Sequence, residues 1–157
     1  MASGDEFREV MRHVPAPVAV VTVTVEGRAA GLTVATLVSL SLEPALVGFA
    51  IRRDAALHEL LRESPEHAIS VLAAGQDHLA QHFARGVPPI ALWENVPLRD
   101  AAGPPQLEGA AAWLRCRLEH EHAAGDHTFF VGAVEHAEAG PGTPRPLVFH
   151  GQAYVAL

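Results

Sequence analysis

Apolar positions recur along this chain with two different periods, and the switches between them lay out its elements. Phe7, Val10, Met11 and Val14 fall at helical spacing, which predicts a short amphipathic helix over residues 5–14. Ser3 and Glu6 ahead of it have the spacing of a capping box, and Pro15 and Pro17 end it. From Val18 to Val25 nearly every position is β-branched, so a strand follows. Glu26-Gly27-Arg28 turns it into a second strand, Ala29 to Val34, and Ala45 to Ile51 reads as a third. Leu57, Leu60 and Leu61 give the next helix its apolar face, with Asp54 as the expected N-cap and Ser64-Pro65 as the stop. His67 to Leu72 is a strand, and Gln76 to Phe83 a short helix with Leu79 and Phe83 on one side. Gly86 to Pro105 is rich in proline and reads as a long loop, with Trp93 as an anchor. Strands are expected at 110–121 and 127–137, and a closing pair at 147–149 and 153–155. Many strands, few helices and repeated hairpin signals predict a mainly β fold, an antiparallel barrel decorated by helices. No internal repeat or linker divides residues 1–157, so a single domain is expected.

Composition narrows the chemistry. A net charge of -7 argues against a partner whose phosphates must be neutralised along a strand, so no nucleic acid is expected. All 11 basic residues are arginine, which removes a Schiff-base lysine and a phosphate-loop lysine together. Cys116 is the one cysteine, so no internal disulfide forms. The polar, acidic start Met1-Ala2-Ser3-Gly4-Asp5-Glu6 is unlike a secretory signal, and no apolar run reaches membrane-spanning length. A cytoplasmic protein without a membrane contact is the expectation.

Several clusters carry candidate chemistry. No Gly-x-Gly-x-x-Gly follows the first strand, so any dinucleotide is held without a Rossmann crevice. Thr33-Val34-Ala35-Thr36 places a strand end where backbone N–H and C=O groups can meet the polar edge of a flat ring. Hydroxyls of Thr36, Ser39 and Ser41 can bond a ribityl chain or phosphate, or simply populate a strand and its turn. Arg52 and Arg53 offer forked donors to a phosphate, or form a solvated surface pair. His78 and His82 sit four apart, and His120 and His122 share a strand face, yet neither pair has a third ligand, so no metal is expected. Cys116 alternates with basic neighbours and reads as a packed thiol. Gly125-Asp126-His127 precedes the apolar run Phe129 to Val134 and reads alone as a hairpin turn with a histidine at its end.

Taken together, Gly31-Leu32-Thr33-Val34-Ala35-Thr36, Ser41-Leu42-Glu43-Pro44, His82-Phe83-Ala84-Arg85 and Gly125-Asp126-His127 resemble the flavin reductase-like family of FMN-binding split barrels. The chain looks most like the short reductase components of two-component flavin monooxygenases, such as that of 4-hydroxyphenylacetate 3-monooxygenase. The resemblance implies hydride transfer from NADH or NADPH to FMN, with FAD as a second choice, and delivery of reduced flavin to an oxygenase. It also implies a homodimer. It assigns flavin contacts to Thr33, Val34, Ala35, Thr36, Ser39 and Ser41, to Ala50, Ile51, Arg52 and Arg53, and to Phe83, Ala84 and Arg85. Gly125 and Asp126 complete the cofactor site, and His127 becomes the catalytic candidate, beside the nicotinamide. The family's usual serines are replaced here by Asp54, Ala55 and Ala56, which leaves open which arginine takes the phosphate. A non-catalytic flavin carrier on the same barrel is the alternative, and a haem or F420 binder a third.

Overall fold

A computed structural model describes residues 1–85 and 89–157. Its main sheet has seven strands: β2 (Ala19–Val25), β3 (Arg28–Val34), β4 (Val38–Leu42), β5 (Ala45–Arg52), β6 (Glu66–Val71), β7 (Ala112–Ala124) and β8 (His127–Ala139). Their order is β3-β2-β6-β7-β8-β5-β4, antiparallel throughout. The sheet's two ends, β3 and β4, are consecutive in the chain. Thr36, between them, ties their connection to β5: its Oγ1 accepts from Ala50 N at 2.8 Å and donates to Ala50 O at 3.1 Å. Two register shifts between β7 and β8, at Arg115/Cys116 and Leu118/His120, mark bulges that bend these long strands. A small sheet of β1 (Ala16–Pro17), β9 (Leu147–His150) and β10 (Ala153–Ala156) covers one side. The result is a mainly β, antiparallel split barrel with three helices among the described residues, α1 (Gly4–Met11), α2 (Ala56–Glu63) and α3 (Asp77–Ala84).

The unbroken apolar run of β2 has a plain cause. Ala19, Val21 and Val23 face a core with Phe49, Ile51, Leu57, Leu61, Ile69 and Phe130, while Val18 and Val20 face a second with Leu72, Leu79, Phe83 and Leu107. The strand is buried on both faces, so the usual apolar–polar alternation is absent. Thr22, buried on that strand, satisfies its hydroxyl on Pro105 O at 2.6 Å.

Four expectations change. The first helix has its capping box, with Glu6 N donating to Ser3 Oγ, but ends at Met11, and its apolar face buries nothing. Asp54 does not cap α2: Ala55 holds that position without a side-chain bond, because the Asp54 carboxylate is taken by Arg52. Val38–Leu42 is a strand, β4, where none was predicted. The predicted start of β7 at 110 moves to Ala112. Gly86, Val87 and Pro88 of the long loop lie outside the described residues. Trp93 anchors the loop as expected, its Nε1 donating to Ala29 O at 2.9 Å.

Candidate active site

A cleft of about 600 Å³ opens between the end of β3, the end of β5 and the start of α2. This is an ordinary size for a cofactor site. Gly31 to Thr36 form one wall, and Ala50, Ile51 and Arg52 the other. Ala55, Ala56, Leu57 and Leu60 of the α2 entry form the floor, Phe83 and Ala84 close one end with Leu92, and His127 stands at the rim. Because β3 pairs only with β2, every second residue of this edge strand turns its N–H and C=O outward. Arg52, Asp54 and His127 add charged and polar side chains to a mostly apolar lining.

The Thr36 hydroxyl, a ligand-donor candidate in the sequence, instead helps other side chains hold the walls in place. Thr33 Oγ1 donates to Ala80 O at 2.6 Å and locks β3 to α3. Thr36 Oγ1 is spent on Ala50, as above. Gly31 lets the Phe83 ring lie against β3, since a Cβ there would sit 3.0 Å from its Cδ1 and Cε1. His82 Nε2 meets Leu92 O at 2.7 Å, and Trp93 packs on Phe83 with ring centroids 5.3 Å apart, so the loop wall is fixed to α3.

Of the sequence candidates, Thr33, Val34, Ala35, Thr36, Ala50, Ile51, Arg52, Phe83, Ala84 and His127 converge on this cleft. Ser39 and Ser41 lie along β4, paired opposite Val47 and Leu46, and do not line it. Arg85 caps α3, with Nη2 on Gln81 Oε1 at 3.4 Å, away from the lining. Arg53 is exposed, and its backbone N–H donates to Asp126 O at 3.1 Å, joining β5 to the hairpin tip. Arg52 forms a two-pronged pair with Asp54, Nε to Oδ1 at 2.9 Å and Nη2 to Oδ2 at 2.8 Å. That pair raises the Arg52 pKa and holds the Asp54 carboxyl below its ordinary value, chiefly through the hydrogen bond.

Gly125 and Asp126 are the two central residues of the β7–β8 hairpin, with Ala124 opposite His127. Gly125 has φ +63°, a left-handed value that suits glycine at the first central position of a tight hairpin turn. Asp126 Oδ1 lies 2.7 Å from His127 Nδ1, and this contact lowers the Asp126 pKa. A nitrogen facing a carboxylate carries the proton, so Nδ1 is committed to Asp126 and Nε2 is left for the cleft.

Behind the rim lies a histidine that the sequence reading passed over. His58, buried on α2, has Nε2 2.8 Å from Thr128 Oγ1 and Nδ1 2.8 Å from Glu59 Oε1. In the sequence it lies within the Leu57, Leu60, Leu61 stripe, with no motif to mark it. A second, His67, is fully buried beside Phe49, and neither ring nitrogen has a partner among the described residues. Burial pushes its pKa down to about 4. Cys116, its cross-strand partner on β7, is pushed up to about 12 by burial and then by Glu135, which makes it an inert packed thiol. His78 turns to Gly75 O and His82 to Leu92 O. Among the described residues no group of three or more His, Cys, Asp or Glu can hold a metal.

Residues 11–157 match the model of the flavin reductase like domain. This chain belongs to the flavin reductase-like family. It is 37% identical over 151 residues to an NADH-dependent FAD reductase of Streptomyces globisporus, covering 94% of this chain and 82% of that one. It is 35% identical over 154 residues to the reductase component of 4-hydroxyphenylacetate 3-monooxygenase of Thermus thermophilus, covering 98% and 96%. Among solved structures, the NADH:FAD oxidoreductase of Streptomyces globisporus C-1027 in complex with NAD and FAD fragments superposes with a TM-score of 0.89 at 34% identity. That match covers 96% of this chain and 90% of the other. The resemblance carried by the short motifs is therefore a whole-chain relationship, and the split barrel is the family's fold.

Proposed function

We propose that this protein is an NAD(P)H-dependent flavin reductase, moving hydride from NADH or NADPH to FMN, with FAD as a second acceptable flavin, and passing reduced flavin to a partner monooxygenase. The observation that carries this reading is the meeting of Thr33–Thr36 and His127 across one cleft. An isoalloxazine ring needs a flat apolar slot with polar groups along one edge. Leu32, Leu57, Leu60 and Phe83 supply the slot, and the outward backbone of β3 supplies the edge. When bound, nicotinamide supplies the hydride and flavin accepts it. The chain's own share is to bind, orient and exclude water. The apolar walls dry the transfer, and His127, steadied by Asp126, orients the nicotinamide from the rim. We place the work in one domain of the cytoplasm; no described helix is long and apolar enough to cross a membrane.

Titration with FMN and with riboflavin, followed by an NAD(P)H oxidation assay, tests the reading. FMN binding with quenched fluorescence and flavin-dependent oxidation is the expected result. Flavin binding without oxidation would instead leave a carrier. If Arg52, Arg53 or Arg85 holds the phosphate, riboflavin binds at least about tenfold more weakly than FMN, since a charged hydrogen bond is worth roughly 1.5–3 kcal/mol. Of the three, Arg52 lines the cleft, and there it must exchange its exposed pairing with Asp54 for the phosphate. Equal affinities would assign all three to the surface.

A homodimer is part of the proposal. Val38, Leu40 and Leu42 of β4 are exposed, and Leu40 lies over Gly48 beside Phe129, so an apolar sheet face is left uncovered. The α1 face of Phe7, Val10 and Met11 is exposed as well. Such surface marks an interface. Sedimentation should report about twice the 16.7 kDa of one chain, and a fully active monomer would remove the inference.

A further inference from the structure

We infer that His58 and Thr128 form a positioning device for His127, resting on the reading of His127 as the residue that orients nicotinamide. The geometry has three parts. His58 is buried at the start of α2, and Thr128, also buried, is the residue next to His127 on β8. The 2.8 Å bond between His58 Nε2 and Thr128 Oγ1 joins the helix whose first turns floor the cleft to the strand that carries the rim histidine. The His58 ring is held from its other sides too: Glu59 takes Nδ1, and Phe130 receives the ring edge at 5.4 Å between centroids.

Strand alternation explains why this contact can act on the cleft. Thr128 pairs with Ile51 and faces the core, while His127 pairs with Arg52 and faces the other way, toward the rim. Fixing the Thr128 side chain therefore fixes the backbone from which His127 projects, without touching the ligand side. The outer end of the same helix is tied to the same hairpin: Arg62 pairs with Glu121 on β7, which lies opposite Phe130, and also with Glu59. Both ties cross from α2 to the two strands whose tip is Gly125-Asp126. Next to the strand pairing of His127 with Arg52, the Arg53 N–H to Asp126 O bond joins the hairpin tip to β5. His127 is the first residue of β8, its backbone paired with Ala124 and Arg52, and the ties from α2 hold the strand from which its ring projects.

Thr128→Val removes the hydroxyl with little change of shape, and Thr128→Ser keeps it. In the otherwise wild-type protein, Thr128→Val should lower kcat/KM for NADH about fivefold or more, with FMN Kd unchanged within twofold, and Thr128→Ser should restore it. In a His127→Ala background, Thr128→Val should cost nothing further, because the bond acts through that ring. Loss of equal size in both backgrounds overturns the inference, since the bond then acts elsewhere. A normal kcat/KM in Thr128→Val beside a defective His127→Ala also overturns it, and leaves the reading of His127 standing. A normal His127→Ala overturns both.

Discussion

Replacing His127 with Ala should lower kcat/KM for NAD(P)H at least about tenfold, a loss of roughly 1.4 kcal/mol in transition-state stabilisation. FMN affinity should stay within a few-fold of wild type, because His127 reaches the cleft only at its rim while the walls are built by β3, β5 and α2. The fold should be untouched: the side chain is about a third exposed and, among the described residues, its ring bonds to Asp126 alone. His120→Ala and His122→Ala are the controls. Both rings lie on the neighbouring strand β7, exposed and outside the cleft lining, so a general effect of removing a histidine near the tip would show in them too. Stopped-flow reduction of bound FMN reads the step directly. A wild-type rate in His127→Ala would make the histidine a turn residue.

What the sequence carried of this fold is governed by how local the cause of each element is. β2, β5 and β8 are buried on the core side and rich in β-branched or aromatic residues, so their patterns were legible. The β7–β8 hairpin was legible because Gly125 and Asp126 are turn residues with a steric reason to be there. β4 was not: Val38-Ser39-Leu40-Ser41-Leu42 alternates like a strand, but it follows the Ala35–Leu37 connection closely and its apolar residues stay exposed. The cap at Asp54 failed because Arg52, two residues away, competes for the carboxylate with two donors, and an N-cap offers only backbone N–H groups. The cleft was legible as blocks of sequence but not as roles. Thr33 and Thr36 mark the right wall, yet their hydroxyls serve Ala80 and Ala50, partners that no spacing rule announces. His58 was hidden for the same reason, since its meaning depends on Thr128, far along the chain.

His67 sets the second large effect, on stability against pH. Its ring is fully buried, T-shaped against Phe49 at 5.4 Å, and so close to Gly132 that a Cβ there would lie 2.9 Å from Cε1 and Nε2. Protonation in that place puts a charge among apolar groups, so the folded pKa falls from 6.5 to about 4. The unfolded chain binds this proton at its ordinary value. Between pH 6.5 and 4 the unfolded state therefore holds more protons than the native state, and stability falls as the pH drops through that window. Above it both states are neutral, and below it both are charged, so the loss levels off. A shift of this size corresponds to about 3 kcal/mol, a large part of the 5–15 kcal/mol typical of a domain. The quantity to measure is a difference between two proteins, in which protons taken up elsewhere in the chain cancel. His67→Leu keeps a similar volume and removes the titrating group; its urea unfolding free energy, followed from pH 7.5 to 3.5, should run flatter than wild type by about 3 kcal/mol. The variant should also be at least as stable as wild type at neutral pH, because two ring nitrogens without partners among the described residues leave the core. Parallel curves for the two proteins would show that the ring takes up its proton inside the fold, and would require a partner for it there.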